Sequence, residues 1–187
     1  MAKRGDYQKR WRQILLIRPY YRADGRTASK ILYLDGSSDD LYCRCEQVVA
    51  ELAQFFYTTI SLAQKRASEL LGESKERKVP ILLHEDFCLV PLKFREEQQK
   101  NTGTIGYVVL RHVTEVEHHL SGVRIHFRNS REHFDIPQRR ATVTKQLKRA
   151  RLLHYNFQQE QRSLEQEEVK KSTKKQKKSD DRQQRLW

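Results

Sequence analysis

The chain of 187 residues is 37% hydrophobic and 33% charged, and its formal net charge is +13. This length suffices for one domain with a core, but the hydrophobic fraction is below the globular average, so part of the chain is expected not to pack. The sequence contains no apolar run near the roughly 18 residues of a membrane span, and it begins without the apolar stretch of a secretory signal. The three cysteines form an odd and sparse set, which favours a reducing cytoplasm over a disulfide framework.

The excess of positive charge is confined to three parts of the chain. Residues 1–18 carry a net +5, residues 136–157 carry +6 and the tail from 158 onward carries +3, whereas residues 19–135 sum to −1. A surplus that served only solubility would be scattered over the surface. The concentration indicates that these parts contact a polyanion, the alternative being basic tails without a particular partner.

The first half of the chain predicts three strands followed by helical structure. The strands are expected at 13–18, at 29–34 and, after a second turn, at 41–45. Over 46–71, apolar residues recur every three or four positions, which is the period of a helix. One long helix or two are both compatible with this stripe, because Thr58 and Thr59 could mark a break. Gly72 stands where a C-terminal cap belongs.

A β-rich region follows. Strands are predicted at 79–83, 87–94, 104–116 and 123–127, and the pair at 136–137 closes the region. Pro80 and Pro91 indicate edge positions for the first two strands, since proline cannot donate a ladder hydrogen bond.

A second amphipathic helix is predicted after Pro137. On a wheel with about 100° per residue, one face is apolar and the opposite face carries only basic side chains. The apolar face consists of Val143, Leu147, Ala150, His154 and Phe157, and the basic face consists of Lys145, Lys148 and Arg149 with Arg151 at its flank. Beyond residue 158 the sequence is rich in Gln, Glu, Lys and Ser, and the lysine-rich run 170–178 predicts disorder.

These elements predict an α+β fold: a small, mostly antiparallel sheet packed with one long or split helix and a C-terminal basic amphipathic helix. The folded domain should span 12–157. A basic N-terminal arm at 1–11 should precede it, and a disordered Lys/Gln-rich tail at 158–187 should follow.

The sequence lacks the motifs of common enzyme and nucleotide sites, such as a glycine-rich phosphate loop or a nucleophile elbow. Adjacent Glu85 and Asp86 suit a turn cap better than a metal site. A zinc site built from Cys43, Cys45 and the histidines at 118–119 is disfavoured, because the spacing differs from that of structural zinc sites. The sequence therefore predicts a protein that is not an enzyme and binds no metal or cofactor.

The basic elements supply what phosphate contacts need. Cationic side chains on a helix face can follow a phosphate backbone, and arginines in an arm can enter a minor groove. Arg139 and Arg140 begin the basic helix, where they oppose the helix dipole at a small cost in stability, an arrangement that suits a bound anion. A merely solvated basic face is the alternative. The candidate contacts are Arg10, Arg12, Arg139, Arg140, Lys145, Lys148, Arg149 and Arg151.

An ordered series of landmarks between residues 13 and 157 resembles the bacterial competence transcription factors of the ComK type. The landmarks are Phe55-Phe56, Thr58-Thr59, Lys65-Arg66, the segments 78–81 and 87–91, Gly106-Tyr107, His112-Val113, Phe127 and Asn129, Ile136-Pro137, and Gln146 with Arg149 and Ala150. The chain departs from the family at 57–63, where the family has a glycine-rich stretch, and its lysine-rich tail has no counterpart.

The resemblance implies a sequence-specific, DNA-binding activator of the genes for DNA uptake. Such proteins bind AT-rich boxes in double-stranded DNA, largely through the minor groove, as dimers that pair on one promoter, and they need no cofactor. The resemblance adds Lys65 and Arg66 to the candidate contacts. It also implies self-association as a dimer or tetramer, a cytoplasmic, nucleoid-associated location, contact with RNA polymerase and no membrane partner. The alternative is a general RNA- or ribosome-associated basic protein, for which the same charges would serve.

Overall fold

The structure, a computed structural model, describes residues 6–73, 78–94, 104–128 and 133–184, with side chains as far as residue 166. The helices are α1 (Asp6–Lys9), α2 (Cys45–Phe55), α3 (Ile60–Leu71) and α4 (Arg140–Gln184). The strands are β1 (Ile14–Tyr21), β2 (Thr27–Tyr33), β3 (Ser38–Leu41), β4 (Ile81–His84), β5 (Phe87–Lys93), β6 (Ile105–Val109), β7 (Val113–His119), β8 (Gly122–Phe127) and β9 (His133–Ile136). The predicted α+β class is confirmed.

The strands form two antiparallel sheets. Six strands are ordered β3-β2-β1-β6-β5-β4, and three more are ordered β7-β8-β9. The predicted strand at 104–116 is therefore two strands in different sheets. A 3-10 turn at Leu110–His112 separates them and redirects the chain from one sheet to the other.

The six-stranded sheet is buried on both faces, which the alternation along β5 shows. Phe87 and Leu89 belong to the core beneath α2, whereas Cys88 and Val90 belong to a second core. The second core also contains the inner residues of β8, such as Ile125, and the apolar face of α4. Apolar burial of this kind supplies most of the folding free energy, and here it places α4 and the small sheet on one side of the central sheet.

Two details of the predicted strands are corrected. The third strand lies at Ser38–Leu41 rather than at 41–45, because Arg44 is already the N-cap of α2 and its backbone N–H donates to Gln47 Oε1 at 2.9 Å. Pro91 lies in β5, between β4 and β6, and not in an edge strand. It is tolerated there because β4 pairs with β5 only as far as Leu89, which leaves one side of β5 without a neighbour at Pro91. Strand β9 was not predicted.

The helical stripe at 46–71 is two helices. The break contains Tyr57, whose φ of 56° ends α2, and Thr59, whose Oγ1 accepts a hydrogen bond from the N–H of Leu62 at 3.2 Å and caps α3. Gly72 follows α3 with a φ of 66°, as a left-handed C-terminal cap. The break and the cap were both indicated by the local sequence.

The N-terminal segment is folded from residue 6 onward, within the stretch that was expected to be an arm at 1–11. Tyr7 and Trp11 are buried. The Tyr7 hydroxyl donates to the Glu51 carboxylate, and Gln8 Nε2 donates to the Glu51 carbonyl at 3.1 Å. Trp11 packs edge-on against Phe56 and Phe87. The large aromatic area buried by this segment offsets the cost of ordering it.

Helix α4 continues to Gln184, through the segment for which composition predicted disorder. Gln, Glu and Lys favour helix even where they cannot build a core, so the boundary at 157 is not a helix end. No helix among the described residues is long and apolar enough to cross a membrane. The first five residues, Asn129 and the last three residues lie outside the described residues.

Candidate nucleic-acid interface

The amphipathic pattern of α4 is confirmed in its first four turns. Its inner face packs on β5, on α3 and on the three-stranded sheet. The fully buried positions are Val143, Leu147, Ala150 and Leu153. His154 and Phe157, which were predicted to share this face, are only partly buried. Lys145, Lys148 and Arg151 are exposed on the outer side.

The outer face of α4 lines an open groove of about 730 Å³. The described residues along it are Arg140, Ala141, Thr144, Lys145, Lys148, Arg149 and Leu152. Arg140, Lys145 and Lys148 carry positive charge along the groove and no lining residue carries a carboxylate, so the groove favours an anionic ligand. Ala141 and Leu152 add apolar atoms to its wall, and the stems of the long basic side chains can cover such apolar surface while their charged ends stay in water.

Arg139 and Arg140 stand at the start of α4, and both are exposed. They line a second concavity of about 400 Å³ together with the turn between β7 and β8. Its described residues are His118, His119, Leu120, Ser121, Gly122, Pro137, Gln138, Arg139 and Arg140. Arg140 lines both concavities, so the two cationic surfaces adjoin at this residue, and neither has a carboxylate among its described lining residues.

Arg149 lines the groove, but its guanidinium is engaged by other residues of the chain, so the prediction that it lies free on the solvent face is wrong. Its guanidinium forms a two-armed ion pair with Glu73, in which Nε lies 2.8 Å from Oε1 and Nη2 contacts Oε2. Nη1 also donates to the Lys78 carbonyl at 3.3 Å and to Gln146 Oε1 at 3.1 Å. Only 18% of the side chain is exposed. Arg149 therefore joins α4 to the segments that follow α3 and precede β4.

Comparison with protein families identifies the chain. The model of a family described as ComK protein matches residues 11–162, which span the six-stranded sheet, the small sheet and the start of α4. The chain belongs to the ComK family. This is a family of competence transcription factors rather than enzymes, and the resemblance stated from the sequence is confirmed. No curated protein and no solved structure matches the chain significantly.

The Lys65-Arg66 pair of this ComK family member lies away from the α4 groove. Both residues line another concavity, which they share with Phe56 and Leu62. Arg66 forms an ion pair with Glu160 of α4 and lies 3.6 Å from a Glu69 carboxylate oxygen. Arg66 thus links α3 to α4, whereas Lys65 is exposed.

Arg10 is held by internal contacts. Its Nη2 donates to Asp35 Oδ2 and to Ser37 Oγ, each at 2.9 Å, and its guanidinium lies 3.9 Å from the centre of the Tyr33 ring. Arg12 is exposed beside the Trp11 ring. Neither residue lines the two concavities. The structure therefore brings together Arg139, Arg140, Lys145 and Lys148, with Arg151 further along the same helix.

One metal-capable cluster occurs among the described residues, at the turn between β4 and β5. The ligand atoms of His84, Glu85 and Asp86 lie within 4.8 Å of one another. His84 Nδ1 already accepts a hydrogen bond from the Asp86 backbone N–H at 3.1 Å. The cluster is therefore explained as a capped turn, which is how the carboxylates were interpreted from the sequence.

Sequence reasoning missed the β7–β8 turn as a neighbour of Arg139 and Arg140. The turn lies near them because β8 pairs with β9, and β9 leads directly into α4. The signal available in the sequence was Leu120, an apolar residue in a position where turn residues are expected.

Proposed function

We propose that this protein is a DNA-binding transcriptional activator of the genes for DNA uptake, which binds AT-rich boxes through phosphate and minor-groove contacts. The observation that carries the proposal is the pair of adjoining cationic concavities, the α4 groove and the one beside the β7–β8 turn. Membership of a competence transcription factor family supports a DNA partner for this surface. The cytoplasm, at the nucleoid, is the location that this function requires.

The spacing of the cations on α4 suits a phosphate backbone. From Arg140 to Lys148 the helix rises about 12 Å, which corresponds to roughly three to four base-pair steps along a duplex. Lys145 and Lys148 lie one turn apart on the exposed face. They are assigned to phosphate contacts, which orient a protein on DNA without reading its sequence. Arg139 and Arg140, beside a chain reversal, are assigned to a narrow minor groove, whose negative potential marks AT tracts.

Salt-dependent binding tests the phosphate assignment. If the exposed cations Arg139, Arg140, Lys145, Lys148 and Arg151 each neutralise one phosphate, log K should fall with log[salt] at a slope of about −4.5, since each phosphate contributes roughly −0.9. The double variant Lys145→Ala/Lys148→Ala should lose about 2 from this slope. A matched control is Arg26→Ala, which removes an exposed cation from the β1–β2 turn. A slope near zero in the wild type would contradict the proposal.

Competition between nucleic acids separates an activator from a general RNA- or ribosome-associated basic protein. An activator should prefer an AT-rich duplex over a GC-rich duplex and over structured RNA. Arg139→Ala and Arg140→Ala should reduce the preference for the AT-rich duplex beyond the loss in affinity, whereas Lys148→Ala should weaken both duplexes equally. Tighter binding of structured RNA by the wild type would favour the alternative function.

We also propose that the protein self-associates as a dimer or tetramer, through the edge of the six-stranded sheet at β4. The opposite edge, β3, carries Asp39 and Asp40, and charges on an edge strand discourage pairing between molecules. Strand β4, with the sequence ILLH, carries no Asp, Glu, Lys or Arg. Sedimentation with and without DNA tests this proposal, and Leu82→Lys should shift the protein toward the monomer. A wild-type monomer under both conditions would contradict it. Contact with RNA polymerase is a further proposal from the activator function.

A further inference from the structure

Leu120 is completely exposed at the tip of the β7–β8 hairpin, with a relative exposure of 101%. His119 pairs with Gly122, so Leu120 and Ser121 form a two-residue turn. Glycine, asparagine and aspartate are the usual residues of such turns. A single exposed leucine is ordinary on a protein surface, so the residues around Leu120 decide what it can bind.

The hairpin tip is held in place against the entrance to α4. Gly122 has a φ of 149°, and a Cβ atom there would overlap the Ile136 carbonyl oxygen and approach the Gln138 backbone nitrogen to 3.0 Å. Gln138 Oε1 in turn accepts a hydrogen bond from the Lys93 backbone N–H at 2.8 Å. The close backbone approach, which only glycine permits, gives Leu120 a defined position relative to Arg139 and Arg140.

The surroundings of the tip are cationic. Leu120 shares its concavity with the exposed Arg139 and Arg140, and no carboxylate is present among the described lining residues. Arg140 connects this concavity to the groove of Lys145 and Lys148. An apolar protein partner would gain nothing from this charge, whereas DNA offers phosphates on either side of an apolar base stack.

We propose that Leu120 is an apolar wedge that inserts from the minor groove between two base pairs of bound duplex DNA and kinks it, while Arg139 and Arg140 lie in the same groove beside it. The proposal rests on the DNA-binding function proposed above. Proteins that bend DNA insert such apolar side chains from the minor groove, beside cationic residues, and pay for unstacking with the additional contacts that the bend allows. With the wedge, the protein would also recognise the shape and deformability of the DNA, which depend on its base sequence.

The experiment compares Leu120→Ala with the wild type on an AT-rich duplex. End-to-end energy transfer reports bending, and a 2-aminopurine at successive steps reports unstacking. The wild type should bend the duplex and raise the 2-aminopurine fluorescence at one or two steps. Leu120→Ala should abolish both signals and weaken binding about tenfold, as expected when one inserted anchor is lost. Leu120→Phe, another wedge residue, should restore them.

The controls separate the wedge from the fold and from DNA binding. Leu164→Ala removes an exposed leucine of α4 and should change neither signal. The melting temperature of Leu120→Ala should equal that of the wild type, because the side chain buries nothing. If Leu120→Ala binds and bends the duplex like the wild type, the wedge is overturned while DNA binding stands. If the wild type binds no duplex, the proposed function and the wedge fail together.

Discussion

Replacing Arg149 by alanine should destabilise the protein, although the residue lies on the helix that carries the candidate interface. The variant removes the two-armed ion pair with Glu73 and the hydrogen bonds to the Lys78 carbonyl and to Gln146. It also leaves the Glu73 carboxylate without its cationic partner. These contacts connect α4 to the ends of the segment between α3 and β4.

The magnitude follows from the partial burial of the pair. Side-chain exposures are 18% for Arg149 and 34% for Glu73. Fully exposed pairs contribute about 0–1 kcal/mol, and breaking a buried pair costs about 3–5 kcal/mol. We therefore expect a loss of about 2 kcal/mol in the free energy of unfolding. For a chain of this size, that corresponds to a fall of about 4–8 °C in Tm.

The assay is urea unfolding monitored by circular dichroism, with a double-mutant cycle. Arg149→Ala, Glu73→Ala and the double variant should give a coupling of about 1–2 kcal/mol. Arg149→Lys should recover only part of the loss, since lysine cannot form the two-armed pair. The control is Lys148→Ala, which removes an exposed neighbour and should stay within about 0.5 kcal/mol of the wild type.

The opposite pattern would refute the placement of Arg149. If Arg149→Ala keeps the stability of the wild type while it loses DNA affinity as Lys148→Ala does, then Arg149 faces the nucleic acid. A coupling of zero with Glu73 would show that the ion pair contributes nothing to stability.

Three further predictions concern the scaffold. Burial lowers the pKa of His112 to about 4, helped by the neighbouring Arg111 and Arg128. Because the folded protein binds fewer protons there than the unfolded chain, this group should cost up to about 3 kcal/mol of stability as the pH falls from about 6.5 to 4. In a plot of the free energy of unfolding against pH, His112→Gln should remove most of this fall in stability. An unchanged plot would show that His112 is not responsible. Tyr57→Gly should raise the free energy of unfolding by about 1 kcal/mol, since the φ of 56° strains a tyrosine; a lower melting temperature would contradict this reasoning. Gly122→Ala should destabilise by at least about 1 kcal/mol in thermal melts, because its Cβ would collide with Ile136; an unchanged melting temperature would show that the hairpin tip is not held there.

Features that depend on neighbours along the chain could be predicted from the sequence alone. The period of apolar residues predicted the buried face of α4, because residues three and four apart lie on one side of any helix. Thr59 and Gly72 marked a helix start and a helix end, since capping is satisfied by local backbone groups. The charge distribution predicted an interface on the segment 136–157, and the structure gives that segment its cationic groove.

Tertiary structure decided which cations are free. Arg149 and Lys148 are adjacent and carry the same charge, yet Arg149 meets Glu73, which precedes it by 76 residues, and Lys148 meets no such partner among the described residues. Arg10 likewise meets Asp35 across a turn. Leu120 and Arg140 lie near each other only because β8 pairs with β9, the strand that leads into α4. A helical wheel or a charge count uses only the order of residues within one segment. An ion pair depends on which distant segment folds back to within a few ångströms of the charge.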